Sequence, residues 1–183
     1  MSKTSIPTSM SRMGLNQSKR RIIGIDPGLA STGWGVLEVS GSNLGYLAHG
    51  CIETNAGSSR GGRLELIYRS FLDLIKTYKP SEAAMENLYF GKNKSSAMVV
   101  AEARGVLLMA LASKGLTIRE LTPNDIKRAV VGVSRADKNQ VQEMVRLILG
   151  LKEIPQPNHA ADALGAAICA AHEFSFNRAS EGT

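Results

Sequence analysis

An α/β fold, a five-stranded mixed sheet flanked by helices, is what the sequence predicts, and three observations carry it. RIIGI, STGWGVLEVS and NLGYLAHGCIET are β-type runs joined by connections too short for a helical crossover, so they read as an antiparallel meander. Two later apolar runs, EAAMENLYF and LTIREL, alternate with helical patterns, which is how parallel crossovers are written in sequence. The last pattern, NHAADALGAAICAAHEF, is alanine-rich, with a small face suited to lying close against a sheet. With 183 residues, 43 % of them hydrophobic, the chain can bury one sizeable core but not two large lobes.

Taken in order, strand one spans Arg21 to Ile25, and turn residues Gly41, Ser42 and Asn43 separate the next two strands. In RLELIYRSFLDLIKTYK, Leu64, Ile67, Phe71, Leu74, Ile75 and Tyr78 share one helical face, and Pro80 stops the helix. EAAMENLYF is a short strand. SSAMVVAEARGVLLMALASKG follows as an apolar helix with Ser95 or Ser96 as N-cap and Gly115 past its end. After LTIREL, the run Thr122, Pro123, Asn124, Asp125 starts a helix that ends near Val131. A further helix runs from Asp137 to Leu149, closed by Gly150, and the alanine-rich helix completes the order β-β-β-α-β-α-β-α-α-α.

Residues 1–20 are polar, serine-rich and basic, and read as a disordered tail; 21–174 form the folded domain and 175–183 a flexible C-terminal tail. The net charge of +6 is concentrated at the start, where Lys3, Arg12, Lys19, Arg20 and Arg21 occur without an acid. The body is therefore nearly neutral, and any surface for an anionic polymer must come from local clusters of Lys and Arg. The leader lacks the apolar centre of a secretory signal, and nothing approaches the roughly 18 apolar residues of a membrane span. Cys51 and Cys169 have neither metal-ligand nor redox-motif spacing. A reducing cytoplasm fits these features.

The chemistry-bearing residues are acids at the ends of apolar elements. Asp26 ends strand one, Glu86 follows the apolar part of strand four, and His159 and Asp162 lie at i and i+3 on one face of the last helix. Each alone has a bland reading: an Asp before Pro-Gly usually serves a turn, and a His in a first helical turn is usually just exposed. Brought together, three carboxylates and an imidazole would repel one another unless a divalent cation lay between them.

GIDPGLASTGWGV, MENLYFGKN, ARG at Ala103 to Gly105, KRAVVG with RADKNQVQEMV, and NHAADALGAAI together resemble, in order and spacing, the RuvC family of bacterial Holliday-junction resolvases. The resemblance runs from about Arg21 to Ala171. It implies a ribonuclease-H-like fold, a homodimer, and nicking of four-way DNA junctions with Mg²⁺ or Mn²⁺, two ions per active site, alongside the RuvA–RuvB branch-migration complex. It makes Asp26, Glu86, His159 and Asp162 the metal ligands and, with Lys138, the catalytic set. Many relatives carry aspartate where this chain has His159, and some carry histidine. Lys127 and Lys138 match basic residues near the DNA and the active site, and Tyr89 and Phe90 match the aromatic part of a loop that enters the junction. The same loop offers Lys92 and Lys94 to phosphates and aromatic faces to unstacked bases.

Arg104 is expected to serve packing or the helix surface, and Met98, Met109 and Met144 to fill the core. The same apolar helix, around Met98 to Leu111, holds more apolar surface than one face against a sheet needs, which marks it as the dimer surface. Two rival functions share parts of this pattern. GIDPGLASTGWG also resembles the phosphate loop of sugar-kinase and actin-like ATPases, which need two lobes; a junction-binding protein without catalysis would keep the DNA surface alone.

Overall fold

The computed structural model describes residues 19–87 and 94–180. The chain runs β1 (Arg20–Asp26), β2 (Ser31–Ser40), β3 (Asn43–Glu53), α1 (Arg60–Tyr78), β4 (Glu82–Glu86), α2 (Lys94–Ser113), β5 (Thr117–Leu121), α3 (Pro123–Val131), α4 (Lys138–Ile148) and α5 (Asn158–Ser180). The strands make one sheet in the order β3-β2-β1-β4-β5, antiparallel across β3, β2 and β1 and parallel across β1, β4 and β5. The mixed sheet expected from the sequence is present, with the meander on one side and the crossovers on the other.

Strand alternation divides the core. Ile23 and Ile25 of β1 pack with Val36, Met85 and the inner faces of α1 and α2, whereas Ile22 packs with Leu37, Leu121 and residues of α3, α4 and α5. Asp26 falls on the side of Ile22 and Gly24, the side covered by α5. Helix α1 buries Ile67, Phe71 and Ile75 on one stripe. Each such side chain contributes about 1.5–3 kcal/mol, which outweighs the roughly 1–2 kcal/mol cost of the left-handed Lys79 (φ 48°) that turns the chain into Pro80.

Helix α5 lies unusually close to the sheet. A Cβ on Gly24 would stand 1.9 Å from the carbonyl oxygen of Ala163, and one on Gly33 would stand 2.0 Å from that of His159. Only glycine allows this approach. On the facing side of the helix Ala160, Ala163, Leu164 and Ala167 are fully buried. The small face read from the sequence is thus matched by a bare patch on β1 and β2, and the match carries the first turn of α5 over the end of β1.

Several boundaries differ from expectation. Arg20 belongs to β1, where its guanidinium bonds the nearly buried Glu82 at 2.9 Å, and Lys19 pairs with Glu38 at 2.9 Å, so the fold takes up the last two residues expected as tail. Residues 1–18 lie outside those described. Helix α5 continues to Ser180, so 175–180, expected as a flexible tail, are helical. Strand β4 stops at Glu86, and α2 already includes Ser95 and Ser96, which are therefore not its N-cap. Met98 and Met109 are 64 % and 63 % exposed rather than core. Helix α2 is apolar on all sides, and it turns Ala103, Leu107, Ala110 and Leu111 inward, leaving the two methionines on the opposite face. Met144 does pack on the core. Among the described residues, no helix is long and apolar enough to cross a membrane.

Candidate active site

Each site residue is delivered by an element end. Asp26 is the last residue of β1 and pairs with Gly33 of β2. On its other side Ile25 is in register with Met85, so Glu86, the next residue of β4, stands beside Asp26. The first turn of α5 adds His159 and Asp162. His159 Nδ1 lies 2.6 Å from Asp26 Oδ2. From a separate helix, Lys138 Nζ donates to Asp162 Oδ2 at 2.8 Å. Lys138 is the first residue of α4, whose start is fixed by a capping box between Asp137 and Gln140.

Asp26, His159 and Asp162 each present a ligand atom, all within 4.8 Å of one another. Glu86 stands beside this tight group rather than in it. It lines, with Asp26, Asn87, Arg104 and Pro123, a cavity of about 380 Å³. Burial pushes the Asp26 carboxyl above its ordinary range, against the hydrogen bond from His159. Glu86 is also pushed up, first by burial and then by the charges of Asp26 and Asp162, with Lys138 and Lys127 opposing. Both carboxyls are thus held above their ordinary range chiefly by being taken out of water. Carboxylate oxygens converging with one imidazole form a donor set that suits a small divalent cation of the Mg²⁺ or Mn²⁺ kind, so the residues fit such an ion.

The sequence profile of the family described as crossover junction endodeoxyribonuclease RuvC matches residues 22–170. The chain belongs to the RuvC family. The RuvC of Treponema denticola is 54 % identical over 147 residues, covering 80 % of this chain and 83 % of that one. The RuvC of Heliobacterium modesticaldum is 47 % identical over 155 residues, 85 % of this chain and 96 % of its own. Among solved structures, Thermus thermophilus RuvC in complex with Holliday junction substrate superposes with a TM-score of 0.82 at 32 % identity, covering 86 % of this chain and 96 % of that one. The yeast mitochondrial Holliday junction resolvase Ydc2 matches at 13 % identity and a TM-score of 0.63, a likeness of fold.

Within this RuvC-family chain the four acidic and imidazole positions expected from the sequence come to one end of the sheet, three tightly and Glu86 alongside. Lys138 reaches the group directly, and Lys127 of α3 is close enough to influence Glu86. Tyr89, Phe90 and Lys92 lie outside the described residues, and Lys94 is described only as the first residue of α2.

Of the two roles expected for Arg104, packing and the helix surface, the structure shows the first. Arg104 is 9 % exposed, and its Nη1 donates to the carbonyl oxygen of Glu86 at 2.7 Å. The sequence did hold a signal for it: a guanidinium placed three residues before Leu107, in the inward stripe of an apolar helix, has to find partners inside the protein.

Proposed function

We propose that this chain is a structure-selective endonuclease that resolves four-way DNA junctions by paired symmetric nicks, through metal-dependent phosphodiester hydrolysis, in recombination and DNA repair. The observation that carries the reading is the convergence of Asp26, His159 and Asp162 within 4.8 Å at the end of a RuvC-type sheet. Membership of the crossover junction endodeoxyribonuclease family supports it.

Asp26 is read as the ligand shared between two ions, Glu86 as a ligand of one, and His159 and Asp162 as ligands of the other. When bound, Mg²⁺ or Mn²⁺ supplies Lewis-acid stabilisation of the attacking and leaving oxygens. The chain's own part is to hold these donors on rigid element ends and to bring positive charge to the scissile phosphate. Lys138, beside Asp162, is read as the group that adds positive charge to the phosphate as it gains charge in the transition state. Lys127, Lys92 and Lys94 are read as contacts to the DNA backbone, and Tyr89 and Phe90 as stacking platforms for bases opened at the crossover.

Cutting two equivalent strands needs two sites, so the working unit is read as a homodimer. Support comes from the outer face of α2, where Met98, Gly105, Met109 and Ala112 form an exposed apolar stripe. The fold from Lys19 through α5 is read as the nuclease domain, its partners as the junction and, by family resemblance, the RuvA–RuvB complex, and its compartment as the cytoplasm.

The test is incubation of an immobile four-way junction, a linear duplex and a single strand with the protein and Mg²⁺ or Mn²⁺. Symmetric nicks confined to the junction are expected. Equal cutting of duplex would overturn the structure selectivity, and junction binding without cutting in either metal would leave a silent binding protein.

A further inference from the structure

Arg104 makes three side-chain contacts that converge on the end of β4. Beyond the bond to the Glu86 carbonyl, its Nη2 donates to Asn87 Oδ1 at 3.4 Å and pairs with Glu120 Oε2 of β5 at 2.7 Å. The Asn87 backbone N–H donates to the Leu121 carbonyl at 2.7 Å, so the dipeptide Glu86–Asn87 is tied to α2 and β5 together. Arg104 also lines the cavity that Asp26 and Glu86 line. Burying a guanidinium is costly, and an apolar side chain of similar volume would pack at least as well. What an apolar residue cannot do is grip a backbone carbonyl, an amide side chain and a carboxylate with one planar fork.

We propose that Arg104 is a positioning residue for Glu86, fixing the backbone from which that carboxylate reaches the metal group. This rests on the reading of Glu86 as a metal ligand. The contacts of Arg104 are to Glu86, Asn87 and Glu120, so its part is to hold the end of β4 at one height relative to Asp26. A lysine keeps the charge but has no planar fork, so Arg104→Lys should leave Glu86 less well held.

The experiment is Mn²⁺ binding to the full-length protein without DNA, by calorimetry, for wild type, Arg104→Lys, Glu86→Gln and the double variant, with melting temperatures recorded for each. Substituting an outer partner of a metal ligand typically weakens affinity about 10–100-fold. Arg104→Lys is expected near the lower figure in the wild-type background and to have less than about a twofold effect once Glu86 is already Gln, because the residue it positions is gone. Equal losses in both backgrounds, or none in either, would overturn the proposal by reducing Arg104 to a structural role. If Arg104→Lys does not fold, Glu120→Gln decides by the same two-background comparison, since Glu120 is half-exposed and its loss removes only the fork's anchor. Wild-type protein that takes up no Mn²⁺ would overturn the metal reading, and this proposal with it. Wild-type protein that binds Mn²⁺ and loses affinity on Glu86→Gln, but not on loosening Arg104, overturns the clamp alone.

Discussion

The ammonium of Lys138 lies 2.8 Å from Asp162 Oδ2, at the N-terminus of α4, where the helix dipole disfavours a cation. Asp162 compensates for that placement, and a metal held by Asp162 would compete with Lys138 for the carboxylate. Lys138→Met should therefore tighten Mn²⁺ binding without DNA by up to about fivefold, the most that a partly exposed ion pair withholds. It should also slow junction cleavage by roughly 10²-fold through loss of a charge aimed at the transition state. Calorimetry and single-turnover cleavage measure the two effects separately.

Glu86→Gln should abolish cleavage and stabilise the metal-free protein. Burial and the charges of Asp26 and Asp162 raise the Glu86 carboxyl, so its ionised form costs stability. A raised folded value means the stabilising protonated state is fully present below the unfolded value and is lost as pH rises through the folded one. In chelator the variant should match wild type in acid and melt higher at neutral pH. Melting curves across pH check the sign.

His159→Asp should change which metal works best. Imidazole is a borderline donor that suits Mn²⁺ better than the oxygen-seeking Mg²⁺, so wild type is expected to cut faster in Mn²⁺, and the aspartate variant to narrow the gap. Cleavage rates at equal concentrations of each ion decide the matter. Identical metal preference in the two proteins would remove His159 from the ligand set.

Gly24→Ala should destabilise the fold by about 1–3 kcal/mol or more, because the added methyl meets the Ala163 carbonyl oxygen at 1.9 Å and must push α5 away. The displaced helix carries His159 and Asp162, so Mn²⁺ affinity should fall even where the variant remains folded. Denaturant unfolding and calorimetry on the same preparation would show both.

Met98→Glu with Met109→Glu should leave the fold intact, since both side chains are mostly exposed, yet abolish self-association. Sedimentation should show wild-type dimers and variant monomers. Dimers that survive the double substitution would move the interface elsewhere.

Much of this was legible in sequence because period and punctuation agreed locally. STGWGVLEVS is β2 residue for residue, and the Thr122 capping box starts α3 where Pro123 said it would. Asp26, His159 and Asp162 were legible from an acid at a strand end, an i, i+3 pair on one helix face, and the family resemblance that joins them. What periodicity could not supply was the partner of each face. A helix apolar all round gives no direction, so Met98 and Met109 were read as core, and the reach of Arg104 to Glu86 depends on β4 and α2 being neighbours. The ion pairs of Lys19 and Arg20 join residues far apart in the chain, and no local pattern announces them.

Helix α5, packed against every strand of the sheet, is also the last of the described elements in chain order, and it brings half of the proposed ligands with it. The same element covers the core and completes the donor set. A chain lacking α5 would carry Asp26 and Glu86 on a sheet with one face uncovered, an incomplete site on an incomplete fold.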